Sequence, residues 1–471
     1  MKDRRQAANF KKFLKNEIIR FFMGKKIVLI SSTIASFFTP FMASAVNVAI
    51  PMIEKEFEMD AILIAWISTA FLLSTAMFLI PMGRLGDIRG RKRIFILGLL
   101  TFSISSLLCS ISTSGIMLIA FRFLQGIGAS MIAGTAIAIL TSAFPLQERG
   151  KVLGINSSAV YAGLSLGPFV GGVITQNFGW RLLFAIPMLI ALIPILLALR
   201  IEEERIDRKE NFDLIGSALF SIFLLTLILG FSSLPSQVGI LLLVASILLL
   251  AMFVYFESKI PQPVLNVGLF RRNLVFGMSN LAALLNYSAT FAVSFLLSLY
   301  LQFVKLLSPQ EAGMIILLQP VVMATLSPIS GWLSDRIEPR IVASIGMALT
   351  SISLFLFSTL DSRTQIEFVL VYLFLIGIGF GLFTSPNTNA VMSSVEKRFY
   401  GLASATLATM RVIGQAMSMG IVIIIFALTI GNARISENIP DFIIAMKSAF
   451  AVSAILCLIG VFASLARGKI H

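Results

Sequence analysis

Charge is what this chain has least of. Only 13% of its 471 residues are Asp, Glu, Lys or Arg, about half the share of an ordinary soluble domain. Meanwhile 57% are hydrophobic and mean hydropathy is +0.94. So few charges cannot build a water-soluble surface, which excludes a soluble enzyme and a disordered chain alike. Histidine is nearly missing: the single one is His471, the last residue. Imidazole acid–base chemistry and histidine metal sites are therefore excluded from the interior. Cysteine is scarce too. Cys109 and Cys457 both lie in apolar runs and read as buried packing residues rather than a disulfide. The phosphate-loop pattern G-x-x-x-x-G-K-[ST] does not occur, so nothing points to an ATPase. No cofactor and no metal are expected.

What the chain has instead is long apolar runs. A bilayer core needs about 20 apolar residues per helix. Fourteen runs qualify, at 27–50, 62–82, 94–112, 115–142, 152–175, 182–199, 214–232, 237–256, 274–302, 312–333, 341–359, 366–390, 401–429 and 443–466. They are too long and too uniformly apolar for strands. The expectation is an all-α membrane protein with fourteen transmembrane helices.

The chain carries 37 Lys+Arg against 23 Asp+Glu, a net charge of +14. Of the cations, 29 fall on the side of the N-terminus and 6 on the other side, Lys447 near the start of the last run among them, with Arg122 and Arg411 deeper inside spans. Positive residues accumulate on the cytoplasmic side. Both termini are thus expected in the cytoplasm, in a multi-pass protein of the plasma membrane. The basic charge orients the protein and implies no nucleic acid. Residues 1–26 are basic and partly amphipathic. They read as a cytoplasmic segment, either lying near anionic lipid or simply solvated, rather than a cleaved signal peptide. By the same count no carboxylate lies in the interior of an apolar run, Glu367 at the start of the twelfth being counted with the adjoining loop.

The chain is internally repetitive. Gly83-Arg84-Leu85-Gly86-Asp87 follows the second run, and Gly331-Trp332-Leu333-Ser334-Asp335 follows the tenth. Both read G-x-L-x-D at the end of the second helix of a six-helix set, as parallel transporter repeats do. The division expected is a basic segment 1–26, a first six-helix bundle 27–200, a linker with an inserted helix pair 201–273, and a second bundle 274–471.

The motifs resemble those of the major facilitator superfamily, in particular its fourteen-span drug:proton antiporter branch of bacterial multidrug exporters. Gly83 to Arg93 reads G-x-L-x-D-x-x-G-R-K-R, like the family's loop after the second helix. Leu118 to Gly128 resembles the fourth-helix signature. Gly163, Gly167, Pro168, Gly171 and Gly172 resemble the fifth-helix antiporter signature. Asn47-Val48-Ala49-Ile50-Pro51 resembles the end of the branch's first-helix signature, and Tyr300-Leu301-Gln302 the stretch after the insert. The resemblance covers nearly the whole chain. It implies the major facilitator fold, two six-helix bundles plus an inserted hairpin, rocking about a central cavity.

Each motif has its own physics. In the loop Gly83 and Gly90 allow a tight turn, and Asp87 is placed to pair with Arg91, Lys92 or a helix N-terminus. The resemblance implies that Asp87, Arg89 and their counterpart Asp335 belong to a gate. A charge within a span is costly, so Arg122 is expected inside the protein with a partner, and Gln125 shares its face. The resemblance ties that arginine to proton coupling. The glycines at 163, 167 and 171 fall on one face and permit close helix approach. The resemblance implies that this seam faces the second helix or the second half. Polar residues inside spans avoid lipid. Asn47, Asn156, Tyr161, Asn286, Tyr287, Gln302, Arg411 and Gln415 are therefore candidates for the cavity wall, with nearby Phe as a greasy surface.

One position departs from the branch. An early acidic residue of the first helix, five positions before Asn47, is replaced by Met42. Buried carboxylates are the simplest proton carriers and the natural partners of lipophilic cations. Proton coupling is then expected to run through Asp87, or through Glu54 or Asp213 at a span mouth, or through the substrate. The functional expectation is a monomeric secondary-active exporter of small amphipathic organic solutes, coupled to protons and embedded in lipid. The alternative is a transporter for one metabolite or lipid, without that coupling. An enzyme is not expected.

Overall fold

The structure is a computed structural model. It describes residues 2–201, 212–260, 268, 270, 273–334, 336–396 and 399–468, with side chains from Gly24 onward apart from Leu146. Asp335 falls outside these residues. Among the described residues fourteen helices are long and apolar enough to cross a membrane. The first set is α1 (Lys2–Phe57), α2 (Ala61–Arg89), α3 (Arg91–Ser110), α4 (Gly115–Ala143), α5 (Leu146–Phe178) and α6 (Trp180–Leu199). An intervening pair follows, α7 (Leu214–Ser232) and α8 (Gln237–Glu257). The last set is α9 (Leu274–Val304), α10 (Pro309–Ser334), α11 (Pro339–Phe357), α12 (Ile366–Ser393), α13 (Tyr400–Thr429) and α14 (Ile439–Ala466). Among the described residues there is no strand.

Helix ends follow from the residues there. Asp60 accepts a bond from Leu63 N at 2.8 Å and starts α2. Ser114 does the same for α4 from Met117 N at 3.2 Å. Ser308 and Glu311 form a reciprocal capping box at α10, which satisfies two amides that the helix leaves open. Between α2 and α3 a single residue, Gly90, turns the chain at φ 110°, a conformation glycine adopts without a Cβ penalty.

The helices outrun their apolar cores. The first run was expected to stop at residue 50, but α1 continues to Phe57. A hydropathy scan stops at the first charge, whereas the backbone ladder needs no apolar side chain to continue. Consequently Glu54 in α1 and Glu257 in α8 are buried helix residues, 1% and 3% exposed. Carboxylates are absent from the interiors of the apolar runs, with Glu367 in the first turn of α12, but not from the helix mouths.

Both sets pack alike. In the first, α1 lies on α5 and α6, α2 on α4, and α3 on α4 and α6. In the last, α9 lies on α13 and α14, α10 on α12, and α11 on α12 and α14. The sets meet along α1–α9, α5–α10 and α2–α13. Helix α7 sits on α2 and α13, one from each set; Ser221 Oγ donates to Met77 O at 3.0 Å. Helix α8 packs chiefly on α7 and turns Val238, Leu241, Ile247 and Leu248 outward. An even number of crossings leaves both termini on one face. That face, which also carries residues 83–93, is called basic here, and the other far.

Candidate functional site: the seam between the two helix sets

Two hollows lie along the seam and share Leu164 and Gln415. The one nearer the far face is lined by Asn47, Tyr161, Tyr287, Gln319 and Gln415, with Phe291, Met323 and Phe380 as apolar wall. The one nearer the basic face is lined by Phe71, Asn156, Arg411 and Gln415 among small and aliphatic residues. Between the halves, the Tyr161 and Tyr287 hydroxyls stand 3.4 Å apart. The Tyr287 ring meets Phe380 edge-on at 5.5 Å, and Arg411 lies within electrostatic reach of the Tyr287 hydroxyl. Among the described residues Arg411 is the only charged one lining either hollow. Asn47 Oδ1 accepts from Ser68 Oγ at 2.8 Å, while Asn47 Nδ2 and Asn156 Oδ1 are buried without a protein partner.

Of the residues picked from sequence, Asn47, Asn156, Tyr161, Tyr287, Arg411 and Gln415 thus converge on the hollows. Asn286 and Gln302 line neither hollow, which corrects their candidacy for the cavity wall, while Arg122 and Gln125 lie inside the first set, where a charge with a partner on its own face was expected. Arg122 is fully buried in the first set. Its Nε donates to Ile67 O at 3.1 Å and its Nη1 to Gln125 Oε1 at 2.6 Å, with the Phe71 ring 4.3 Å away. Gln125 in turn donates to Ser106 Oγ at 2.6 Å. These two bind helix to helix and line neither hollow. Asn286 is enclosed on α9 and also lines neither. Gln302 donates to Val48 O and to Ser298 Oγ, both at 3.0 Å, so it ties α9 to α1.

The far face is bonded shut between the halves. Ser298 Oγ donates to Asn47 O at 2.9 Å, Ala61 N to Ala433 O at 3.1 Å, and Gln310 N to Gln176 Oε1 at 3.1 Å. Arg434 pairs with Glu58 at 2.8 Å, and Ser436 donates to Glu54. A Cβ on Gly172 would strike Pro309 O, and one on Gly313 would strike Pro168 O. Toward the basic face α5 is looser, with Gly154, Ile155, Ser157 and Ser158 exposed.

The glycine seam is also re-addressed. A Cβ on Gly163 would meet Phe37 O, one on Gly167 Ser44 Oγ, and one on Gly171 Ala45 O. The stripe therefore faces α1 rather than α2, and only Gly172 turns to the second half. In the basic loop, Arg91 pairs with Asp87 at 2.8 Å and donates to Ala138 O at 3.4 Å. Lys92 donates to Leu199 O at 3.0 Å, and Arg89 ends α2. These bonds hold α2, α3, α4 and α6 together.

Sequence reasoning passed over one clamp. Arg467 is fully buried where α14 ends. It donates to Asn387 Oδ1 at 3.0 Å, Pro339 O at 2.9 Å and Ser279 Oγ at 3.3 Å. Burial pushes its guanidinium down to about 10, with Arg340 adding to the effect. Only its nearness to an apolar run hinted at this. No group of three or more His, Cys, Asp or Glu is placed to hold a metal among the described residues.

Residues 32–304 and 279–469 both match the sequence profile of the Major Facilitator Superfamily. The chain belongs to that superfamily. It is 30% identical to the riboflavin transporter RibZ of Clostridioides difficile over 439 residues, 93% of this chain and 96% of that one. It is 27% identical to the multidrug resistance protein Stp of Mycobacterium tuberculosis, covering 88% of this chain and 79% of that one. It is 28% identical to the methylenomycin A resistance protein of Bacillus subtilis, covering 88% and 89%. The fold matches a bacterial homologue of the human lysosomal transporter Spinster, inward-facing and unoccupied. That match has TM-score 0.67 at 16% identity over 94% of this chain and 97% of that one. It also matches the xylose transporter XylE of Escherichia coli, TM-score 0.62 at 12% identity over 93% and 96%. The protein is accordingly a multi-pass membrane transporter and not an enzyme.

Proposed function

We propose that the protein exports small amphipathic organic solutes across the plasma membrane by alternating access, in exchange for protons. Its basic face would lie in the cytoplasm, where 29 of its 37 cations would then sit. The observation that carries the reading is the seam: bonded shut at the far face, loose at the basic face, with a hollow between. Such a hollow loads from the basic side and discharges when the two sets rock. Its aromatic wall suits an apolar body, and the amides of Asn47, Gln319 and Gln415 suit carbonyl and N–H edges. With Arg411 the one lining charge, neutral and anionic cargo is favoured over permanent cations. The Stp and methylenomycin relatives are named for resistance, which fits removal of a harmful solute from the cell.

The test is transport into liposomes under pH gradients of either sign, with neutral, anionic and permanently cationic aromatic probes of similar size. Neutral and anionic probes should move faster, and a gradient should drive them. Faster movement of the cations overturns the cargo assignment; indifference to the gradient overturns the exchange.

A second reading is a dedicated metabolite carrier. The 30% identity to the riboflavin transporter and the amide-rich wall favour it. Flavins have a flat ring with a donor–acceptor edge, and flavin fluorescence in the same liposomes separates the two readings.

A further inference from the structure

The geometry points to Glu54 as a proton-binding site whose protonation holds the far face closed. It rests on the alternating-access reading above, though not on any cargo. Two glutamates end α1 and a third, Glu58, follows it, and each is held differently. Glu56 stays within the first half, accepting from Trp180 Nε1 at 2.7 Å and pairing with Arg181 at 2.6 Å. Glu58 is exposed and pairs with Arg434 across the seam. Glu54 alone is buried. It too reaches across the seam: its Oε1 accepts from Ser436 N at 3.2 Å and Ser436 Oγ at 3.1 Å. Its Oε2 is buried without a partner.

Among the described residues no cation is bonded to Glu54. Arg434 is the charged group within electrostatic reach of it, and that guanidinium is already engaged by Glu58 at 2.8 Å and Glu437 at 3.4 Å. Of the other charges nearby, Lys55 is exposed and Asp60 caps α2. An ionised carboxylate buried with only hydroxyl and amide donors pays a desolvation cost that a neutral acid avoids. When the far face opens, Ser436 leaves with the second half and Glu54 meets water, where the anion is no longer disfavoured. The closed face therefore binds the proton more tightly than the open one. By linkage the proton favours closure. The step is a plain protonation: one carboxylate oxygen takes one proton from far-side water, and no other bond changes. Glu54 thus supplies at the gate an acid that the middle of α1, with Met42, lacks.

The experiment measures the seam directly. Spin labels go on the exposed far-face residues Thr113 and Gln365, one in each half, in full-length protein in lipid nanodiscs. Their separation is read between about pH 8 and about pH 5, a range in which a burial-shifted carboxylate takes up its proton while an ordinary one stays largely ionised. In the unaltered chain the short-distance, closed population should grow on acidification. Glu54→Gln keeps the acceptor for Ser436 and removes the charge, so its distances should stay at the low-pH setting throughout. Glu54→Ala, a second charge-free variant, should also lose the pH response, and Glu54→Asp should keep it. A closed population that is unchanged or shrinks in acid overturns the assignment, as does a wild-type response in Glu54→Gln or Glu54→Ala. No cargo is needed, so failure here is distinguishable from failure of the transport reading in liposomes.

Discussion

Alanine at Gly154 and at Gly171, one at a time, sets helix propensity against helix packing on a single helix. Both lie inside α5. Alanine is preferred over glycine in a helix interior by about 0.8–1.0 kcal/mol. Nothing stands within 4 Å of where a Gly154 Cβ would sit, so Gly154→Ala keeps that gain. A Cβ on Gly171 would stand 2.7 Å from Ala45 O and 3.1 Å from the Cα and Cβ of Ala45. Carbon–oxygen approaches between packed helices run at about 3.3–3.6 Å, so α1 and α5 must part by roughly half an ångström. Overfilling a packed seam costs about 1–3 kcal/mol. The propensity gain is common to both variants, so the difference between them is the packing cost alone. Thermal denaturation of purified protein, followed by loss of the monodisperse chromatographic peak, measures it. The Gly154→Ala midpoint should rise and the Gly171→Ala midpoint should fall. A Gly171→Ala protein as stable as Gly154→Ala refutes the argument that missing side chains close this seam.

Three further outcomes are expected. Gln302→Leu deletes the bond to Val48 O; one such bond contributes about 0.5–1.5 kcal/mol, so the far-open population should rise about two- to tenfold in cysteine cross-linking across the seam. Gln415→Leu, at the wall shared by both hollows, should weaken binding of neutral probes about fivefold in equilibrium titrations, the loss of one hydrogen bond, without lowering the thermal midpoint. Asp361 lies in the turn before α12, where the Thr364 hydroxyl and the Arg363 amide hold its carboxyl below the ordinary 3.8. A lowered folded value means the turn is stabilised above that pH and loses the contribution as pH falls through the folded value. Asp361→Asn should therefore denature earlier than wild type at neutral pH and converge with it in strong acid.

Apolar runs disclosed the fourteen crossings because hydropathy is a property of the segment, and G-x-L-x-D at 83–87 and 331–335 disclosed the repeat. Which wall a polar side chain faces is a different kind of information. A polar residue in an apolar run signals avoidance of lipid, and a cavity and a neighbouring helix satisfy that equally well. Tyr161 and Gln415 went to the cavity; Gln125 found Ser106 and Gln302 found Val48, each a partner distant in sequence. The same limit applies to Gly163, Gly167 and Gly171. Their spacing identifies a close seam, but α1 as the partner is set by tertiary packing. Glu257 was hidden by the scan itself, which ends a span at the first charge; Glu54 was visible as a mouth residue, but its burial against the second half depends on tertiary packing.

The placement of the cations separates two tasks that sequence alone merges. Arg122 and Arg411 are both intramembrane arginines without a carboxylate in their own run. Arg411 faces the hollow, where it can meet cargo. Arg122 is screened from it: the Phe71 ring, which lines the basic-side hollow, lies over its guanidinium at 4.3 Å. A cation under an aromatic face, bonded to Gln125 and the Ile67 carbonyl, is stabilised where it stands and costs energy to uncover. On the proposed reading, the charge that would meet cargo and the charge that braces the first set are therefore different residues. The acid assigned to the proton, Glu54, is a third, at the far mouth rather than in the hollow. Cargo and proton then need not compete for one side chain. What links them is the rocking of the two sets, since Asn47 on α1 lines the hollow two turns before Glu54 crosses the seam to Ser436.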